Sequence, residues 1–399
     1  METILASALR KSIRSGALTV TFASGRSERF GDGSGPAVAF RFADARAQWA
    51  FMIDPDLRFG ELYMSERLAL EEGSIRDLLG VIYANAESGS PPLLMRAVDF
   101  ARFRLRRLAR NNVRRRSRTN VAHHYDLDAR LFRLFLDDDL QYSCAYFPHP
   151  SATLEEAQAE KKRRIVAKLD LGPGMRVLDI GSGWGGSALT LAQDARKPDV
   201  LGVTLSSEQL AVARARAAQL GLGDRAQFRL EDYRDLKERF DRITSVGMFE
   251  HVGVGFYGVF FRQVAELLAP DGVMLLHTIG SSDAPGFVTP WLDKYIFPGG
   301  DIPSLSEIIP HIEKAGLVVT DVEVLRKHYA LTLREWARRF QARRADAAAL
   351  YDERFCRMWE FYLAAAECAF LYEGLVVFQI QIAKTAGSLP LTRDYMKPR

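Results

Sequence analysis

The sequence is short of several things, and each shortage narrows what the chain can be. No apolar run reaches the ~18–20 residues that a bilayer-spanning helix needs, so a helical membrane-spanning protein is not expected. The opening stretch METILASALRKSIRSG mixes acidic and basic residues and holds no long apolar core, which speaks against a secretory signal. Cysteine is scarce. Cys144, Cys356 and Cys368 are odd in number and lack metal-ligand spacing, an argument against a disulfide framework and for a reducing compartment. No His/Cys/Asp cluster has the spacing of a metal site, so no metal is expected. Internal repeats and long low-complexity tracts are missing too. One stretch has no acid at all: from Arg102 to Arg118, RFRLRRLARNNVRRRSR carries nine arginines. Such a block suits a polyanion, either a nucleic acid or an anionic membrane surface.

What remains is a chain of 399 residues, 48% apolar and 26% charged, with a net charge of +4. It is long enough for two domains and a sizeable core. Residues 1–100 read as one smaller α+β unit. ALTVTFASGRSERFG alternates and turns like a hairpin, AVAFRFADARAQWAFMI continues as short strands, and SIRDLLGVIYANA has helical spacing with Ser74 as its N-cap. The proline pair in SGSPPLL breaks that pattern, and residues 101–119 form a basic linker. Residues 120–399 follow as a third segment. There, short apolar runs alternate with helical stretches: MRVLDIGS, VLGVTLS, AQFRLED, DRITSVGM and GVMLLHTIG as strands, and SALTLAQDA, SEQLAVARARAAQLG and FYGVFFRQVAELLAP as helices. This βαβ alternation predicts an α/β fold, a doubly wound, Rossmann-like parallel sheet covered on both faces. LVVTDVEVL and GLVVFQIQIAK supply two later strands. A helical insert over roughly 332–372 lies between them and is expected to cap the site.

At the end of the first strand stands VLDIGSGWGG, residues 177–186. Four glycines fall within six positions there, where a doubly wound sheet binds its ligand. Gly181 permits a tight turn, Gly183 lets a ligand approach the backbone, and Gly186 allows close helix packing. The loop satisfies G-x-G-x-x-G, a weak signal alone. A nicotinamide enzyme would place an acid at the end of the second strand, but here that strand ends in Thr204 and the nearby Glu208 is already helical. The acids instead stand before the glycines, as Asp179, and after the third strand, in EDYRD. That arrangement suits S-adenosylmethionine, with its ammonium and sulfonium near the loop, Asp232 on the adenine amino group and Tyr233 packed beside it.

The loop has company. HHYDLDARLFRLFLDDDLQYSCAYF (123–147), VLDIGSGWGG, GVTLSSEQ (202–209), SVGMFEHVG (245–253), LLHTIG (275–280) and KYIFPGG (294–300) follow one another in order. Over about residues 120–385 the chain resembles the cyclopropane-fatty-acyl-phospholipid synthase family, which includes the mycolic acid cyclopropane synthases. The first hundred residues resemble the lipid-handling N-terminal domain of its bacterial phospholipid members. The resemblance implies a class I methyltransferase fold and transfer of a methylene group from S-adenosylmethionine to a cis double bond of an acyl chain. It implies that Tyr142, Ser143, Gly181, Gly183, Thr204, Leu205 and Gln209 contact the methyl donor. It further implies a bicarbonate ion acting as base among Cys144, Glu250, His277, Ile279 and Tyr329, the last in KHYALTLREW. An unsaturated phospholipid substrate, an anionic membrane surface and a second copy of the chain are the expected partners. The expected location is cytoplasmic, peripheral to the inner membrane. Two positions depart from the family pattern: Ser182 stands where many members have cysteine, and HYDLDAR replaces HYDLGND.

The chemistry is consistent with these residue types. An alkene is a poor nucleophile, so positioning must supply much of the acceleration. Attack leaves a carbocation, so the site must be dry. Aromatic faces stabilise a cation by ~0.5–2 kcal/mol each, and Tyr142, Tyr146, Phe147, Tyr295 and Phe297 lie inside the matching motifs. Around a bicarbonate, Glu250 would accept its hydroxyl proton, His277 and Tyr329 would add hydrogen bonds, and backbone groups at Cys144 and Ile279 would complete the cage. Cys144 is expected to be a buried filler rather than a nucleophile, and His251 to hold Glu250. Three other readings stay open: a methyl-branched unsaturated product formed without ring closure, a nucleic-acid methyltransferase using the arginines on phosphates, and a non-catalytic lipid-binding protein. The second lacks an N/D-P-P-Y-type motif, so nucleic acid is not an expected partner.

Overall fold

The structure is a computed structural model that describes residues 2–86, 102–103 and 129–398. The proline pair, most of the arginine block and the HHYDLD segment lie outside the described residues. The chain divides into two compact units. One comprises Met1–Arg104, Val288–Pro298 and Leu333–Gly374; the other comprises Leu105–Phe287, Gly299–Thr332 and Leu375–Arg399.

The first unit begins with α1 (Glu2–Ser12), β1 (Ala17–Thr21), β2 (Ser27–Phe30), β3 (Ala37–Phe42), α2 (Ala45–Ile53), α3 (Pro55–Met64), β4 (Leu68–Glu72) and α4 (Ile75–Ala84). The four strands form one sheet in the order β2-β1-β3-β4, and β1 pairs with β2 as the expected antiparallel hairpin. Ser74 caps α4 in a full capping box with Asp77, satisfying two orphan amide groups. One expectation fails here. ARAQWAFMI is the helix α2, not a further strand. The Asp44 side chain accepts from the Ala47 N–H at 2.9 Å and so starts a helix, and Ala, Gln and Met favour its continuation.

The second unit carries α5 (Leu154–Lys168), β5 (Arg176–Ile180), α6 (Gly186–Ala192), β6 (Asp199–Thr204), α7 (Ser207–Gln219), β7 (Ala226–Leu230), β8 (Phe240–Val246), α8 (Tyr257–Leu267) and β9 (Leu268–Ser281). The chain then supplies α9 (Pro290–Tyr295) to the first unit, α10 (Leu305–Lys314) and β10 (Val318–Val324) to the second, and the helical insert α11 (His328–Ala342), α12 (Arg344–Leu350) and α13 (Glu353–Tyr372). β11 (Leu375–Ala383) closes the series. From Leu333 onward the insert belongs to the first unit. Within that unit, Glu367 of α13 is almost fully buried and accepts from Arg76 and Arg334, and Phe361 packs on Phe59 at 5.5 Å and on Trp291 at 4.6 Å.

The seven strands of the second unit run in the order β10-β11-β9-β8-β5-β6-β7. β5 is parallel to both β6 and β8, β6 to β7 and β8 to β9, while β11 is antiparallel to its neighbours β9 and β10. Alternate residues of β5 serve opposite faces. Val177 joins a core with Ile165 and Leu169 at the end of α5, Leu189 of α6 and Ala213 of α7; Leu178 and Ile180 join one with Phe260 and Val264 of α8 and Ile308 of α10. Burial on both faces explains the unbroken apolar runs read in the sequence. Each fully buried large aliphatic side chain contributes ~1.5–3 kcal/mol. Because β5 feeds β6 and β7 on one side and β8 lies on its other side, the strand order reverses at β5, which sets a crevice beyond its carboxyl end.

Candidate active site

That crevice is a cavity in the second unit. Its lining includes Tyr142, Ser143, Asp179, Gly181, Gly183, Thr204, Leu205, Gln209, Asp232 and Tyr233, every position expected to contact the methyl donor. The glycine loop is tied to the neighbouring strand: the N–H groups of Gly181 and Ser182 donate to the Val203 carbonyl at 2.9 and 3.0 Å. Gly183 has a φ of +53°, and a Cβ there would meet no atom within 4 Å, so its missing side chain leaves space in the cavity. On β6, the Thr204 hydroxyl donates to Gln209 at 3.0 Å, and Ser206 caps α7 through the Gln209 N–H. Asp232 receives the Arg234 guanidinium in a bidentate pair at 2.8 and 2.6 Å and the Arg234 N–H at 3.0 Å. Asp179 is different. Its side chain is fully buried and Oδ2 has no hydrogen-bond partner. Burial pushes its carboxyl up to about 7, opposed by the charge of Lys161.

The five residues expected around a base fall into two groups. On β9, the Ile279 N–H donates to Glu250 Oε1 at 2.7 Å, and His277 is two residues back on the same strand. Glu250 Oε2 is buried without a partner. Burial raises the Glu250 carboxyl to about 7. The turn that carries Glu250 is pinned by the Asp301 N–H on its carbonyl at 2.8 Å, and Tyr257 donates to Asp301 at 2.7 Å. In the second group, the Ala145 N–H, next to Cys144, donates to Thr332 at 3.1 Å, one helical turn from Tyr329 on α11. Cys144 is buried, its thiol donates to the Ala145 carbonyl at 3.3 Å, and burial pushes its pKa up. A neutral, enclosed thiol is a poor nucleophile. His251 lines the donor cavity, where burial lowers its pKa to about 4.

The aromatic expectations divide as well. Tyr142 lines the cavity, joined there by Trp184 and Phe256. Tyr146 is stacked on His328 at 4.4 Å with the Arg164 guanidinium 3.7 Å from its ring centre, so its faces are already engaged. Tyr295 and Phe297 belong to the first unit, where Tyr295 donates to Glu61 at 2.9 Å and Phe297 packs edge-on to Tyr362.

The profile of the family described as "Mycolic acid cyclopropane synthetase" matches residues 112–380. The chain belongs to that family. Residues 4–91 match a second profile, described as "Domain of unknown function (DUF7884)". A cyclopropane-fatty-acyl-phospholipid synthase of Escherichia coli (strain K12) is 44% identical over 261 residues, 65% of this chain and 66% of that protein. A probable fatty acid methyltransferase of Pseudomonas putida is 38% identical over 300 residues, 72% of this chain and 75% of that one. The crystal structure of mycolic acid cyclopropane synthase CmaA1, complexed with SAH and CTAB, superposes with a TM-score of 0.63 at 35% identity, over 67% of this chain and 98% of that one.

As a member of the mycolic acid cyclopropane synthetase family, the chain is an S-adenosylmethionine-dependent methyltransferase with a class I methyltransferase sheet. The cavity fits that donor on its own chemistry, since an orphaned buried carboxylate beside a glycine cradle suits a ligand with a positive charge and an edge that lies on backbone. Sequence reasoning missed the lysines of α5. Lys161 is fully buried and donates to Gln141 at 2.7 Å and to Ser143 at 2.9 Å, so it holds the stretch that carries Tyr142 and Ser143. Burial lowers its pKa to about 8, and its charge is felt by Asp179, Cys144 and His277. The signal was present. Leu154, Ala157, Gln158, Lys161, Ile165 and Lys168 share one helical stripe, and two lysines on the buried stripe of a helix need buried partners.

Proposed function

We propose that the protein is a cyclopropane fatty acid synthase acting on the cis double bond of an unsaturated phospholipid acyl chain. The observation that carries this reading is the Glu250 carboxylate, which accepts from the Ile279 N–H and keeps Oε2 buried without a partner, on a strand whose His277, two residues back from Ile279, is itself buried. S-adenosylmethionine, when bound, supplies an electrophilic methyl group. Asp179 answers its positive charge, Gly181 and Gly183 let it lie against the backbone, and the Thr204–Gln209 pair meets its polar edge. Tyr142 and Phe256 help enclose the cavity, exclude water and offer π-faces to a carbocation formed on the acyl chain, while Tyr233 packs beside the adenine.

Ring closure requires that the transferred methyl lose a proton. This reading assigns bicarbonate as the base, with Glu250 Oε2 the acceptor for its hydroxyl and His277 and Tyr329 the donors to its oxygens. A bound anion there would be a small exchangeable base, one that spares Glu250 from alkylation. The similarity to a probable fatty acid methyltransferase favours one second reading, a methyl-branched unsaturated chain formed when the cation loses a different proton. The first hundred residues are assigned a lipid-handling role. The arginine block is assigned to an anionic membrane surface, at about 1 kcal/mol for each arginine that reaches it. This reading makes the protein peripheral to the cytoplasmic face of the inner membrane and a homodimer. Among the described residues no helix is long and apolar enough to cross a membrane.

Purified protein incubated with S-adenosylmethionine and vesicles of a cis-monounsaturated phospholipid tests the reaction, read by proton NMR of the extracted lipid. Upfield cyclopropane methylene signals with loss of the vinyl signals are expected. A new methyl branch beside a surviving alkene would move the protein to the second reading; the two products share a mass, so mass spectrometry does not separate them. Vesicle binding is expected to weaken sharply with added salt and with loss of anionic lipid. Salt-independent binding to neutral vesicles would overturn the role given to the arginines.

A further inference from the structure

The reading above gives His277 a donor role without saying why the ring should present a proton there. A neutral imidazole has one N–H and one lone pair, and its neighbours decide which nitrogen carries which. We infer that Gln379, oriented by Lys168, fixes His277 as the tautomer with its proton on Nε2, making both residues positioning residues for the base site. The inference rests on that reading of the site.

The assignment follows from three contacts in the second unit. Lys168, the last residue of α5, is buried, and its ammonium donates to Gln379 Oε1 at 2.6 Å and also pairs with Glu323. An ammonium has donors and no acceptor, so the oxygen of the Gln379 amide must face Lys168 and the NH2 must face away. That NH2 lies 3.1 Å from His277 Nδ1. A donor on that side requires a lone pair on Nδ1, so the proton of the neutral ring is on Nε2. The opposite tautomer, or the imidazolium, would set two donors against each other between two nearly fully buried side chains. The backbone supports the same alignment. Gln379 of β11 and His277 of β9 are directly paired across the antiparallel ladder, which puts their side chains on one face within reach of each other.

Two further features restrict the alternatives. Gln381, two residues along β11, donates to the Lys168 carbonyl at 2.6 Å, so one glutamine holds the lysine's backbone while the other receives its ammonium. Burial and the charges of Lys161 and Lys168 hold His277 well below its ordinary pKa, which keeps the ring neutral. A glutamine is suited to this position because its amide accepts on one side and donates on the other. A glutamate would accept on both sides and draw the proton to Nδ1.

The test is the ring spectrum of His277 in full-length protein labelled with 15N-histidine, its signals identified by their loss in His277→Asn. The wild type is expected to show an unprotonated Nδ1 and a protonated Nε2. In Gln379→Glu the pattern is expected to reverse or to become that of the imidazolium, with kcat reduced more than ~10-fold, as for other partners that orient a functional histidine. The KM for S-adenosylmethionine is expected to stay within about twofold, because Gln379 is not one of the residues that line the donor cavity. A wild-type ring protonated on Nδ1, or an unchanged tautomer in Gln379→Glu, would overturn the inference. Should that variant fail to fold, Lys168→Met releases the amide to rotate and is expected to give both tautomers; a single Nε2–H form there would equally overturn it. The spectrum requires no turnover, so this inference can fail while ring formation stands, and a branched product leaves the tautomer assignment intact.

Discussion

The second unit buries two carboxylates, Asp179 and Glu250, and they differ in what answers them. Both have one oxygen without a partner, and burial raises both to about 7. Asp179 feels a cation, the Lys161 ammonium, and lies in a cavity lined by glycine backbone. Glu250 is met by an amide group of Ile279 rather than by a cation. A carboxylate left short of positive charge beside an open cradle is prepared for a cationic ligand, whose arrival would restore its ordinary acidity. A carboxyl met by neutral donors on one oxygen, with the other oxygen unpaired, is prepared to share a proton. Burial raises the two acids to a similar pKa, and their surroundings separate their tasks.

Three experiments can break that contrast, beginning with the largest effect. Glu250→Gln keeps an acceptor for the Ile279 N–H but removes the charge and the second acceptor. Ring formation is expected to fall ~10²–10⁴-fold while calorimetric affinity for S-adenosylmethionine is unchanged. A matching loss of affinity would mean that the two acids serve one site.

Asp179→Asn should do the reverse, weakening S-adenosylmethionine binding ~10–100-fold while stabilising the ligand-free protein. The sign follows from proton binding. The folded chain holds this proton up to about pH 7, whereas the unfolded carboxyl releases it near its ordinary 3.8. Between those values the native state binds more protons, so stability falls as pH rises. The variant escapes that loss and should gain ~1–2 kcal/mol at pH 8 in chemical denaturation. In the wild type, kcat/KM for S-adenosylmethionine should rise with pH to a plateau above about 7. In kcat the Asp179 limb should move to lower pH, because a bound cation favours its ionised form, which leaves Glu250, raised to about 7, to shape that profile. A flat pH profile, or a variant that loses stability at pH 8, would remove the charge role given to Asp179.

The smallest effects separate the glycines of the cradle. At Gly181 the φ is +79° and a Cβ would lie 2.8 Å from Met248, so Gly181→Ala should cost ~1–3 kcal/mol of stability. At Gly183 a Cβ meets only open space. Gly183→Ala should therefore cost about 1 kcal/mol of stability and show its larger effect as weakened donor binding. Melting curves with and without S-adenosylmethionine distinguish them, and equal behaviour would mean that the loop serves only as a turn.

The glycine-lined cavity was far more legible in the sequence than the surroundings of Glu250. Strand β5, its glycines and the acids at Asp179 and Asp232 are local patterns, and one parallel sheet brings such patterns to the same end of its strands. The capping box at Ser74 could likewise be read directly. The helix α2 was misread because the alternation of AVAFRF invites extension into the next residues, and the Asp44 cap that ends the strand pattern was overlooked. Lys161 and Lys168 were written on the buried stripe of α5, but their partners Ser143 and Gln379 are 18 and 211 residues away.

By itself, then, the sequence determined the βαβ order, the glycine loop and the residue types available to the chemistry, because hydrophobic period and turn residues act within a few positions of themselves. Tertiary structure alone decided which carboxylate feels the charge of a lysine and which accepts from an amide, and which nitrogen of His277 faces a glutamine. Those outcomes depend on side chains carried by separate strands and helices, whose pairing is fixed only when the sheet closes and water is excluded from between them.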